Sequence, residues 1–160
     1  MTFSRLAVAA LVLAVHGSAW ADDYKKGDIE IEDLWVRATA PGQPNGGGYM
    51  EIENHGKAAD ELLAVKSDVA QTVEIHETRD ANGMSTMRKV DAPLTIPPGG
   101  EVKFAPGGYH VMFVKLKQAF KEGTEIPATL TFRQAGEVPV VFKVKPLTYK
   151  PQGMSGHMAH

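Results

Sequence analysis

The strongest constraint on this chain is a period of two in its apolar residues. Val138, Val140, Phe142 and Val144 alternate with their neighbours, and Leu130 and Phe132 do so in the preceding segment. Such alternation puts every second side chain on one face of a strand, so one face is buried and the other is not. The same habit marks Ile29 and Ile31 running on to Val36, residues 49–54, Leu62 to Lys66 and Val73 to His76. It recurs in Val102 to Phe104, Val111 to Leu116, Ala128 to Arg133 and Val138 to Val144. No long helical period and no internal repeat is present. A Gly/Pro-rich loop is expected from Pro41 to Gly48, with tight turns at Asn54-His55-Gly56 and Asn82-Gly83. Pro97 to Gly100, Pro106 to Gly108 and Gln134 to Gly136 are expected to close further hairpins. Many short alternating runs spaced by turn residues predict an all-β antiparallel sandwich or barrel.

The first 21 residues stand apart. Arg5 gives a positive start, Leu6 to Val15 form a ten-residue apolar run, and Ala19-Trp20-Ala21 has the form of a cleavage site. The run is too short for a permanent membrane span. The expectation is a signal peptide over 1–21, export, and a processed chain that starts at Asp22 without a membrane anchor. A β domain is expected over 22–149. The segment 150–160 has no core-forming pattern and is expected to be a flexible tail.

Composition removes several functions. The chain has 160 residues and a formal net charge of −2, or −3 once Arg5 is removed with the leader. A nucleic-acid binder needs a basic excess, which is absent here. There is no cysteine, so disulfides, thiol redox chemistry and thiolate metal sites are excluded. No Gly-x-Ser-x-Gly or His-Glu-x-x-His motif points to hydrolysis.

The histidines and methionines carry the remaining information. His110 and Met112 are two apart, so a strand puts both on one face, with Val111 and Phe113 on the core side. His76 follows the inward pair Val73 and Ile75 and is expected to face outward. Met87 follows the Asn82-Gly83 turn at the start of the returning strand. Two imidazoles and two thioethers are thus expected outside the apolar core. Thioether sulfur is soft and uncharged, and it suits Cu(I) better than Zn(II), Ca(II) or Mg(II). Each methionine taken alone reads as packing; the joint spacing points to copper. His55 reads as a turn residue and Met50 as core. Met84 lies close enough to assist Met87, and Tyr109 and Trp35 are candidates to cover the site.

The arrangement resembles the periplasmic copper chaperone family PCu(A)C, whose signature is His or Met, ten residues, Met, about twenty-one residues, then His-x-Met. His76, Met87, His110 and Met112 fall on it, with a second gap one residue longer. The segments Leu34 to Gly42, Gly46 to Tyr49, His76 to Thr78 and Pro106 to Met112 are similar to the family as well. The resemblance implies a cupredoxin-like Greek-key β-barrel with a surface Cu(I) site. It implies delivery of copper to the dinuclear Cu(A) centre in subunit II of cytochrome c oxidase, alongside a thioredoxin-like copper chaperone. It also implies a His/Met-rich tail; Met154, His157, Met158 and His160 fit that description and are candidate Cu(II) ligands.

The function expected is therefore a periplasmic metal carrier and not an enzyme. Copper sequestration without a dedicated acceptor uses the same ligands. A secreted copper oxygenase is disfavoured, because that chemistry uses an N-terminal histidine and the expected first residue is Asp22.

Overall fold

The computed structural model of the protein describes residues 23–151. The expected leader at 1–21 and the tail residues Met154, His157, Met158 and His160 lie outside the described residues. The described chain is all strand and loop. Eleven strands follow in order: β1 (Tyr24–Lys26), β2 (Ile29–Arg37), β3 (Asn45–Asn54), β4 (Asp60–Lys66), β5 (Ala70–Ala81), β6 (Met84–Lys89), β7 (Leu94–Ile96), β8 (Glu101–Phe104), β9 (Tyr109–Leu116), β10 (Glu125–Phe132) and β11 (Gly136–Lys145). The hydrogen-bonded order is β6-β5-β9-β8-β3-β2-β11-β10-β4-β7, with β1 on β2 and an added β9–β3 pairing. The sheet is mixed, because β11 runs parallel to β2 and β8 meets β9 in parallel.

The inward faces of these strands meet in one core. Ile31, Val36, Met50, Ile52, Val111, Phe113, Leu130, Phe132 and Phe142 are almost wholly buried. Phe113 stands edge-on to both Phe120 and Phe142, with centroids 5.3 and 5.9 Å away. Such edge-to-face pairs add to the area they bury. Met50 is core, as its place in an alternating run requires.

Three expectations are corrected. The glycines at 46–48 are not loop but the start of β3. Their lack of a side chain is what lets rings pack there: a Cβ on Gly46 would lie 2.7 Å from Phe120, and one on Gly48 would lie 3.0 Å from Phe113 and 3.1 Å from Val36. Pro97 to Gly100 and Pro106 to Gly108 do not close hairpins. The first links β7, which pairs with β4, to β8, which pairs with β3; the second joins the two parallel neighbours β8 and β9. The short strands β1 and β7 have too few residues to show alternation. By contrast, Gln134 to Gly136 does join the antiparallel pair β10–β11. Asn82 and Gly83 turn β5 into β6, both with positive φ (53° and 75°). That is the backbone twist a two-residue hairpin favours.

Candidate metal centre

Partners across an antiparallel pair share a face, and so do residues two apart on one strand. His76 on β5 stands directly opposite His110 on β9, and Glu74 opposite Met112. On the other side of β5, Met87 of β6 stands opposite Thr78, and Lys89 opposite His76. His76, Met87, His110 and Met112 therefore occupy one face of three neighbouring strands. The imidazole rings of His76 and His110 lie 5.7 Å apart between centroids. Met87 and Met112 sit on opposite diagonals from His76, within the reach of long side chains. The structure thus joins the two histidines directly and holds one thioether on each side.

The two sides differ in exposure. Met112 is half-buried, while Met87, on the edge strand β6, is 55% exposed. The expectation that His110 faces outward holds for its face and fails for its exposure, which is 7%. Neighbours on β3 and β5 cover it: the Tyr49 ring is 6.5 Å away, and His76 lies on the other side. Burial pushes the His110 imidazole below the usual histidine range. A backbone hydrogen bond at Gly108 opposes this, and His76 lowers it further. Around neutral pH this ring is therefore neutral, which is the form that ligates metal.

The covering layer is aromatic. Trp35 pairs with Tyr49 across β2 and β3, with ring centroids 4.5 Å apart. Trp35 also touches Tyr149 (4.9 Å) and lies under the Arg37 guanidinium (5.3 Å). A bulge sets this up. Asp33 has φ 51°, and the β2–β3 register shifts between Glu32 and Trp35. One extra residue inverts the alternation, so Leu34 and Val36 enter the core and Trp35 turns to the histidine face. The sequence expectation for Trp35 is thus met at one remove, through Tyr49. Tyr109 does not cover the site, because it shares the face of Val111 and packs on Phe104, 5.8 Å away.

Two polar residues missed in the sequence belong to this face. The Glu74 carboxylate accepts a hydrogen bond from Nε2 of His76 at 2.8 Å, and its other oxygen pairs with Lys89 at 3.3 Å. The His76 bond holds the Glu74 carboxyl below the usual carboxylate range; burial opposes this and Lys89 assists it. Counting back by two from His76 is the signal that could have found Glu74. Met84 is three residues from Met87, so strand alternation puts it on the opposite face, and it is 67% exposed. His55 is apart from this group. Its Nε2 pairs with Glu30 at 2.7 Å and Glu53 at 3.2 Å.

The donor set suits a soft monovalent ion. Nδ1 of His76 is buried and has no hydrogen-bond partner, so one imidazole nitrogen is left free for a ligand. Two imidazoles and two uncharged thioethers, without a thiolate, fit Cu(I) better than a hard divalent cation.

Residues 29–144 match the family described as "Putative lipoprotein LpqE-like". The chain is 29% identical over 145 residues to "Putative lipoprotein Lxx21020" of Leifsonia xyli subsp. xyli, covering 86% of each. Among solved structures it is similar to the copper-bound PCuAC domain from PmoF2, at 30% identity and a TM-score of 0.66, covering 78% of this chain and 98% of that one. It is also similar to CuI-DR1885 from Deinococcus radiodurans, at 26% identity and a TM-score of 0.59, covering 79% and 83%.

Proposed function

This chain belongs to the LpqE-like family and has the fold of PCuAC domains, and from that premise we propose that it is a copper chaperone. Its cargo is Cu(I), held by His76, Met87, His110 and Met112. The observation that carries the reading is the direct cross-strand pairing of His76 with His110, flanked on one face by two thioethers. The copper-bound state of similar domains supports it.

The differing exposure of the ligands suits a carrier. His110 and Met112 are sheltered, while Met87 is open to solvent on a sheet edge. With no thiolate in the set, an acceptor can replace the donors one at a time, starting at Met87. We assign the acceptor as subunit II of cytochrome c oxidase, at its Cu(A) centre, with a thioredoxin-like copper chaperone as a second partner. The chain acts in the periplasm after export and removal of residues 1–21, and it performs no catalysis. The family and the relative from Leifsonia xyli subsp. xyli are named as putative lipoproteins, a name that fits an exported protein. Met154, His157, Met158 and His160 form a separate Cu(II) site in the tail.

Anaerobic titration with Cu(I) against a competing chelator tests the site, with one tight equivalent expected and lost in His76→Ala and His110→Ala. Removal of residues 151–160 should abolish a Cu(II) paramagnetic resonance signal and leave that equivalent unchanged. Mixing the loaded protein with an apo subunit II domain tests the carrier role. Transfer faster than spontaneous copper release is expected; transfer at the release rate would make the protein a copper store.

A further inference from the structure

We propose that Glu74 is the positioning residue of this centre: it holds the Nε2 proton of His76 and thereby commits Nδ1 of that ring to the metal. The inference rests on the copper reading above and adds which nitrogen binds and what fixes it.

The geometry leaves little choice of tautomer. An ionised carboxylate only accepts hydrogen bonds, so at 2.8 Å the Nε2 of His76 must be the donor to Glu74. A metal-bound imidazole is neutral, so with the proton on Nε2 the lone pair is on Nδ1. Nδ1 is the atom that is buried without a hydrogen-bond partner, in a ring that faces His110 across the strand pair. Buried polar side-chain atoms without a partner are few in native proteins, and each asks for a reason. Among the described residues, Oγ1 of Thr131 is the other such atom, and it lies on β10.

Glu74 is itself held in place. It shares the face of His76 by the period of two, and it stands opposite Met112. Its second oxygen is drawn to Lys89 at 3.3 Å, and Lys89 stands opposite His76 on β6. The carboxylate is thus bracketed between the ring it orients and a lysine from the strand that carries Met87. A ligating histidine commonly donates its second ring N–H to a carboxylate, which fixes ring orientation and raises ligand basicity.

The test begins with the unaltered protein. Long-range ¹H–¹⁵N spectra are recorded before and after one equivalent of Cu(I). The expected result is a proton on Nε2 of His76 in both states and a large metal-induced shift at Nδ1. A metal-induced shift at Nε2 overturns the inference. If copper binds and perturbs neither His76 nor His110, the copper-site reading fails instead. The variants Glu74→Ala and Glu74→Gln follow, with amide spectra to establish that both are folded. Glu74→Ala should bind Cu(I) about 10- to 100-fold more weakly, as removal of outer-shell partners does. Glu74→Gln retains an acceptor oxygen and should recover most of that loss. Equal loss in both variants would reveal a charge effect without positioning, and parent-like affinity in Glu74→Ala would remove the role altogether.

Discussion

The two methionines of the proposed site invite a comparison that separates ligation from packing. Met87 is exposed and its side chain buries little, so Met87→Ala should change stability by no more than about 0.5 kcal/mol. Met112 is half-buried on the core strand β9, so Met112→Ala should cost about 1 kcal/mol. Both should weaken Cu(I) binding, because each removes one soft donor. Thermal melting and chelator competition on the two variants read the two effects separately. A Met112→Ala protein that melts early yet binds Cu(I) like the parent makes Met112 a packing residue. The spacing of His76, Met87, His110 and Met112 was legible because period two fixes faces without knowledge of neighbours. The burial of His110 was not, because it comes from Tyr49 on a different strand, behind a glycine run that read as loop.

At the scale of elements, the β5–β6 hairpin decides how Met87 is presented. All six residues of β6 are exposed, and β6 is an outer strand of the sheet paired with β5 alone. Its position therefore depends on backbone hydrogen bonds and on the turn. Gly83 has φ 75°, and a Cβ there would meet nothing within 4 Å. Gly83→Ala should thus act through backbone strain alone, at about 1–2 kcal/mol. The expected outcome is faster amide hydrogen exchange over residues 84–89 and weaker Cu(I) binding, with little change in global melting. Global loss of stability would mean that β6 is coupled to the core after all. This turn was legible because Asn-Gly has one favoured geometry. The glycines and prolines at 97–100 and 106–108 mark a reversal without saying which strands then pair, so their connections are not legible in the sequence. The bulge at Asp33, which turns Trp35 toward the histidines, left no mark in the alternation that could be told from a loop.

The whole molecule carries an acid-sensitive contact far from the histidine pair. Glu30 is buried on β2 and bound by Lys25 at 2.7 Å and His55 at 2.7 Å. The Lys25 bond holds its carboxyl below the usual carboxylate range; burial opposes this and His55 assists it. The folded state therefore binds the Glu30 proton less readily than the unfolded chain does. Stability from this contact is complete above the unfolded value of about 4.3 and is lost as pH falls through the lower folded value. Denaturant midpoints should fall across that range, and Glu30→Gln should flatten the fall; an identical acid limb in the variant would place the sensitivity elsewhere. A further consequence follows from the pairing of His76 with His110. These residues are remote in sequence and meet only when β9 has docked on β5, and long-range strand pairing of this kind is slow to form. An unfolded chain holds the same four side chains but does not bring them to one face, so it lacks the assembled site. Completion of the fold therefore precedes loading: the proposed centre exists only once β9 lies against β5.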